Sequence, residues 1–356
     1  MFQPDVIVIG GGVIGLSCAA AIAREGRRAL VISSTEAGSA TAASAGILAP
    51  CVGSATPAVR ALGVASRDMY PEFLRSLEER TGLGVALDRS GVLEVAFDAS
   101  EADALRSGPQ AGTAWLDSHQ VHALEPSLAA VAGAGFHEHD GAVDSRALLS
   151  AVRTDAARDR RVRIVEDRVV RIDPGRTIAV RLQSERRIEA PQVVVAAGAW
   201  IASIAGLPHA LPVEPARGQM LSLPRALVHH VVIGPRGYLV PRRDELLIGS
   251  TMERVGFDVR TTDEGASLLC QVARELVPAL AGQPVLAHWA GLRPMTPDQL
   301  PIVGADRECP GLIYACGHSR NGVLLAPLTA RAVADLIARG TTSIDVAAYA
   351  PARFGA

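Results

Sequence analysis

The stretch "DVIVIGGGVIGLSCAAAIAREG" constrains the fold more than any other. Asp5 to Gly10 is apolar on both faces, as a buried parallel strand requires. Gly10-x-Gly12-x-x-Gly15 follows at once and opens a helix that Gly26 closes as a C-cap. The first glycine suits a tight turn, the second a backbone that approaches a pyrophosphate, and the third close packing of helix on strand. The free N–H groups and positive dipole end of that helix suit phosphate. The motif therefore predicts an α/β chain that binds a dinucleotide.

Val6 to Ala23 is apolar for nearly long enough to cross a bilayer, but four glycines break it in a strand-turn-helix pattern. Its basic flank follows the apolar run, the reverse of a signal peptide. We expect no stable membrane insertion and a cytoplasmic protein. The five cysteines are scattered and contain no C-x-x-C pair, which agrees with a reducing compartment. The chain contains no lysine, so all 35 basic residues are arginine. Lysine Schiff-base chemistry and a Walker-type phosphate lysine are excluded. A net charge of −2 argues against general nucleic-acid binding.

Strand character alternates along the chain. "RALVIS" and "QVVVAAG" read as parallel, and "GYLVPRRDELLIGS" as an antiparallel hairpin. Pro71 must kink or divide the helical stretch around it. Residues 95–145 read as mixed and loop-rich. The pattern predicts a discontinuous dinucleotide-binding Rossmann domain with an inserted antiparallel-sheet domain. The boundaries are 1–80, 141–205 and 285–356 for the first and 81–140 and 206–284 for the second.

"VVVAAGAW" ends a strand on Gly198, where a second glycine turn suits an extended FAD. "IYACGHSRNGVLLAPLTARAVADLI" reads as strand, turn and helix, with Pro327 in the tolerated first helical turn. Its amides and helix end would favour negative charge that develops on a reduced flavin.

These strings, with "VIGGGVIGLS", "AASAGILAP", "GQMLSL", "GYLVPR", "GSTMERVGFD" and "WAGLRPMTPDQLPIVG", span nearly the whole chain in order. They resemble the D-amino-acid oxidase family of FAD enzymes, and within it the glycine-oxidising branch tied to thiamine biosynthesis. The resemblance implies a glutathione-reductase-like, FAD-binding Rossmann domain beside a substrate domain, FAD as cofactor, a small amino acid or amine as substrate, dioxygen as acceptor, and a possible homo-oligomer; the alternatives are a broader D-amino-acid oxidase, a dehydrogenase with another acceptor, or a flavin-binding scaffold without turnover. It implies cofactor contacts at Gly10, Gly12, Val13, Ile14, Gly15, Ser33 and Ser34. Further contacts would come from Ala40, Thr41, Ala45, Gly46, Ile47, Val169 and Gly198, and from His318, Ser319, Arg320, Asn321, Gly322, Val323 and Leu324. Arg293 and Tyr238 would hold the substrate carboxylate, with Arg320 beside them.

An arginine fork matches a carboxylate bidentately. With the α-carbon so held, positioning supplies much of the catalysis and no protein base is essential. His137 and His139 have metal-like spacing without other placed ligands, so no metal is assigned. Cys316 reads as a core thiol rather than a flavin attachment. Arg236 is expected near the site entrance, where it could attract a second anionic group or face solvent. At Ser33 the family carries a carboxylate that grips the adenosine ribose. The serine predicts weaker FAD binding, a partly apo preparation, and tightening by Ser33→Glu.

Overall fold

The computed structural model describes residues 2–34, 36–53, 56–107, 112–225 and 227–355. Val6–Ile9, Ala29–Ser33, Gln192–Val195 and Leu312–Cys316 form the middle of a six-stranded sheet, flanked by Val162–Glu166 on one edge and Ile302–Ala305 on the other. All of its pairings are parallel except that of the two C-terminal strands. Val6–Ile9 and Leu312–Cys316 are buried at every position. That burial explains their unbroken apolar runs, since helices or sheets cover both faces.

The helix Val13–Arg24 is rich in alanine, so it lies close against Ala326–Arg339. Pro327 sits in the first turn of that second helix, as expected. Pro71 likewise opens a helix: the chain divides at Met69 into Pro57–Asp68 and Tyr70–Thr81. Proline has no N–H to lose at such a position.

The second large sheet has eight strands, in which Ala287–Met295, Glu214–Pro224, Glu245–Gly249, Gly237–Pro241 and Val231–Gly234 lie side by side. The hairpin read from "GYLVPRRDELLIGS" is present, with Tyr238 opposite Gly249. Residues 95–145 are more regular than the sequence reading held. They contain the helices Ala99–Ser107 and Ser118–Leu124 and three short strands.

Ala287–Met295, placed in the first domain by the sequence reading, pairs along Glu214–Pro224 and belongs to the eight-stranded sheet. Leu87–Asp88 and Gly141–Val143 join Ile47–Leu48 in a small sheet between the two large ones. Arg242 reinforces this junction by donating to the carbonyls of Ala45 at 2.6 Å and Val143 at 2.9 Å. Among the described residues, no helix is long and apolar enough to cross a membrane.

Candidate active site

A cavity of about 830 Å³ runs from the ends of the Val6–Ile9 and Ala29–Ser33 strands to the eight-stranded sheet. At its start Gly10 has φ +118°, and a Cβ there would stand 2.2 Å from the Ala196 carbonyl oxygen. Only glycine tolerates that approach. Gly15 does not face the cavity: its missing Cβ points at the Gly10 carbonyl oxygen, 2.0 Å away. That close approach packs the helix on the strand. Gly12 is the helix N-cap without a side-chain partner, while the Val13 N–H donates to Thr41 Oγ1 at 3.2 Å.

The cavity gathers nearly all the cofactor residues read from the sequence. Gly10, Gly12, Val13, Ile14, Ser33, Ser34, Ala40, Thr41, Ala45, Gly46, Ile47, Val169 and Gly198 line it, as do His318 to Val323. Leu324 does not; it is buried in the core that joins the two long helices. The small-residue stretch "SATAA" contains the short helix Ala40–Ala43, and Thr35 lies outside the described residues.

At the far end, three segments are stitched together. Ala287–Met295 carries Arg293 between Glu214–Pro224 and the 38–43 segment, where the Leu292 N–H donates to Gly38 and the Trp289 indole to Ala43. The turn after Cys316 is tied to the same strand by Ser319 N–H donating to the Pro294 carbonyl at 3.0 Å. In that turn the Gly322 and Val323 amides reach no acceptor among the described residues. They remain available to a ligand in the cavity.

Arg293 is the central side chain of this end. It donates to the Thr251 carbonyl at 3.1 Å and to Ser250 Oγ at 2.6 Å, and no carboxylate among the described residues pairs with it. Gly218 makes the room: a Cβ there would stand 2.3 Å from the guanidinium carbon. Burial holds the Arg293 pKa below its ordinary value, opposed by the neighbouring Tyr238 and reinforced by the positive Arg320. Arginine stays charged all the same, so the site holds a part-buried cation with no carboxylate partner among the described residues.

Tyr238 lies against Gly249, its hydroxyl 3.7 Å from Met220 Sδ, and Arg320 donates to Gln299 Oε1 at 3.1 Å. The sequence reading missed Gly218, Ser250 and Met220. They sit inside the strings "GQMLSL" and "GSTMERVGFD" or beside them, but nothing local distinguishes them.

Nearby ionisable groups are otherwise occupied. Burial pushes His318 down to about 3, and its Nε2 meets Thr329 Oγ1 at 3.1 Å, so the ring is neutral. Asp298 lines the cavity but is bridged by Arg353, and its carboxyl lies below the usual range despite partial burial. The Cys316 thiol is pushed up to about 12 by burial, which leaves no thiolate to attack a flavin.

Arg236, His137 and His139 are not among the residues that line the cavity. Arg236 pairs with Glu275 on the helix Asp263–Leu276. His137 and His139 do not share a site. His139 is exposed beside Glu138, whereas His137 is buried between Thr113 and Glu94. His137 does approach Cys51 and Asp140, but Arg67 already holds Asp140 Oδ1 at 2.6 Å.

The glycine turn, the amides and the elongated cavity fit FAD, and together with the parallel sheet they define a flavin-dependent oxidoreductase. The family described as DAO, FAD dependent oxidoreductase, matches residues 5–336, and the chain belongs to it. It is 35% identical to the glycine oxidase of Pseudomonas aeruginosa, with 98% of each chain covered. The crystal structure of glycine oxidase from Geobacillus kaustophilus superposes with a TM-score of 0.90 at 32% identity, over 98% of each chain. A bifunctional ThiO/ThiG protein of Synechocystis is 36% identical over 98% of this chain but only 54% of its own length. The chain thus spans about half the length of such two-part relatives.

Proposed function

We propose that the chain oxidatively deaminates glycine or another small amino acid or amine, with dioxygen as the acceptor, as a step linked to thiamine biosynthesis. The observation that carries this reading is Arg293, a part-buried cation at the cavity floor with no protein carboxylate against it. A buried charge without a partner is costly, and a substrate carboxylate supplies the missing counter-charge.

Ser250 and Thr251 hold the guanidinium in the wall of the cavity. Tyr238 is beside it to add a hydroxyl, and Arg320 adds positive charge at the rim. Met220, Ile233 and Tyr238 wall this end, which favours a substrate with little or no side chain. FAD, held along the Gly10–Ile14 turn and the His318–Val323 turn, would supply the acceptor for hydride transfer from the substrate α-carbon, with dioxygen as the final oxidant that becomes hydrogen peroxide. The free amides of Gly322 and Val323 offer donors to the negative charge that accompanies that transfer. The amine must arrive neutral, because His318 and Asp298 are both engaged elsewhere. Water then hydrolyses the imine to a 2-oxo acid and ammonia.

A panel of glycine, sarcosine and both enantiomers of the common amino acids, read by peroxide release with FAD present, tests the reading. Peroxide from glycine or sarcosine supports it. Anaerobic bleaching of the flavin without peroxide in air would assign the electrons to another acceptor. No bleaching by any amino acid would leave a flavin-binding scaffold and overturn the proposal.

A further inference from the structure

The opposite end of the cavity poses a separate problem. Dinucleotide folds place a carboxylate at the end of the second strand, where it accepts hydrogen bonds from ribose hydroxyls. This strand, Ala29–Ser33, ends in a serine. The Ser33 hydroxyl is turned toward the Ser34 carbonyl at 3.4 Å, and it packs where a Cβ of Gly11 would lie. Such a hydroxyl is a neutral and weaker acceptor than a carboxylate.

Three acids stand near this end: Glu36, Glu166 and Asp167. Glu166 borders only a neighbouring hollow, not the main cavity. Asp167 lines the cavity, but its Oδ1 accepts from the Arg168 amide at 2.8 Å and its Oδ2 from the Ser184 hydroxyl. Glu36 lines the cavity together with Ser33, Ser34 and Arg168. Its Oε1 accepts from Arg168 at 2.6 Å, and no described residue donates to Oε2. Arg168 is itself held by Ser203 Oγ at 3.1 Å, so the pair is fixed from the far side of the cavity mouth.

We infer that Glu36, positioned by Arg168, replaces the missing strand-end carboxylate and accepts the ribose hydroxyls of the adenosine half of FAD. The chain has moved the acid from the strand end into the loop three residues on and recruited an arginine to hold it there. An isolated carboxylate on a loop would lose affinity to its own mobility, and the Arg168 bridge removes that loss. This deepens the proposed function by assigning a cofactor-binding residue, and it does not depend on which amino acid is oxidised.

The test is calorimetric titration of FAD into apo-protein, without substrate, for wild type, Glu36→Gln, Arg168→Met and the double variant Ser33→Glu/Glu36→Gln. Loss of a charge-assisted hydrogen bond should weaken FAD binding roughly ten-fold or more in Glu36→Gln. Arg168→Met should weaken it by a smaller factor, and Ser33→Glu should restore binding to the Glu36→Gln protein. Circular dichroism of each apo-protein confirms that the fold is kept. A Glu36→Gln protein that binds FAD as tightly as wild type, or a double variant that stays weak, overturns the inference. Either result leaves the amino-acid reaction standing. A wild type that binds FAD but bleaches with no amino acid does the reverse.

Discussion

Each end of the cavity is organised around one arginine, and the two arginines do opposite things. Arg168 is a third exposed and paired with a carboxylate, so its charge is spent on holding Glu36 in place. Arg293 is part-buried and meets the Thr251 carbonyl, the Ser250 hydroxyl and the Tyr238 side chain but no carboxylate among the described residues, so its charge is unspent. The first positions a protein group; the second, in the function we propose, is left to pair with the substrate carboxylate. The difference teaches that an arginine's function follows from whether the fold supplies its counter-charge, since every guanidinium in the chain has the same intrinsic chemistry.

Arg293→Met is the largest expected blow to the comparison. It removes the unspent charge, and kcat/KM for glycine should fall by roughly a thousand-fold while FAD binding is unchanged. A loss of FAD instead would mean that the two ends are not independent. Gly218→Ala is the subtler version. Its methyl group would enter the guanidinium's place and push Arg293 off line, so kcat/KM should drop by roughly a hundred-fold, seen mainly as a raised KM.

The pH dependence follows from the occupied groups around Arg293. With His318 neutral at any pH above about 3, no protein base should titrate in the working range. Protonated amine binds but does not react, and each unit of rising pH increases the neutral fraction about ten-fold until the amine pKa is reached. We therefore expect kcat/KM to climb with pH and then level, with no inflection near the ordinary histidine pKa. A steady-state profile from pH 6 upward checks this expectation, and an inflection that His318→Gln removes would contradict it.

The smallest expected effect concerns Arg236, a spent arginine like Arg168 but away from the cavity. Arg236→Ala should change kcat/KM on neutral and acidic amino acids alike, by less than about two-fold. A selective loss on acidic substrates would show that the Glu275 pair opens in solution and that Arg236 reaches the substrate after all.

How much of this was legible beforehand depends on the range of the interaction. The glycine spacing and the apolar strands report local backbone requirements, and the Rossmann sheet and the helix after Gly10 appear where they were read. Gly15 and Leu324 were assigned to the cofactor by string resemblance, yet the backbone turns them toward helix packing and the core. A contiguous motif does not place all its residues on one surface, because a turn or helix rotates every next side chain away. Gly218 and Ser250 went unnoticed because their importance comes from Arg293, which is distant in sequence. The pairing of Ala287–Met295 with the eight-stranded sheet was hidden for the same reason.

The sequence alone determined the strand-turn-helix with its glycine turn, and the alternation of parallel and antiparallel segments. Both follow from φ/ψ limits and side-chain periodicity over a few residues. It did not determine which arginines carry free charge. That was decided by partners 132 residues away for Arg168 and 43 and 42 residues away for Arg293. Electrostatic energy depends on what lies within a few ångströms and on how much water is excluded there, and only the packed chain sets either.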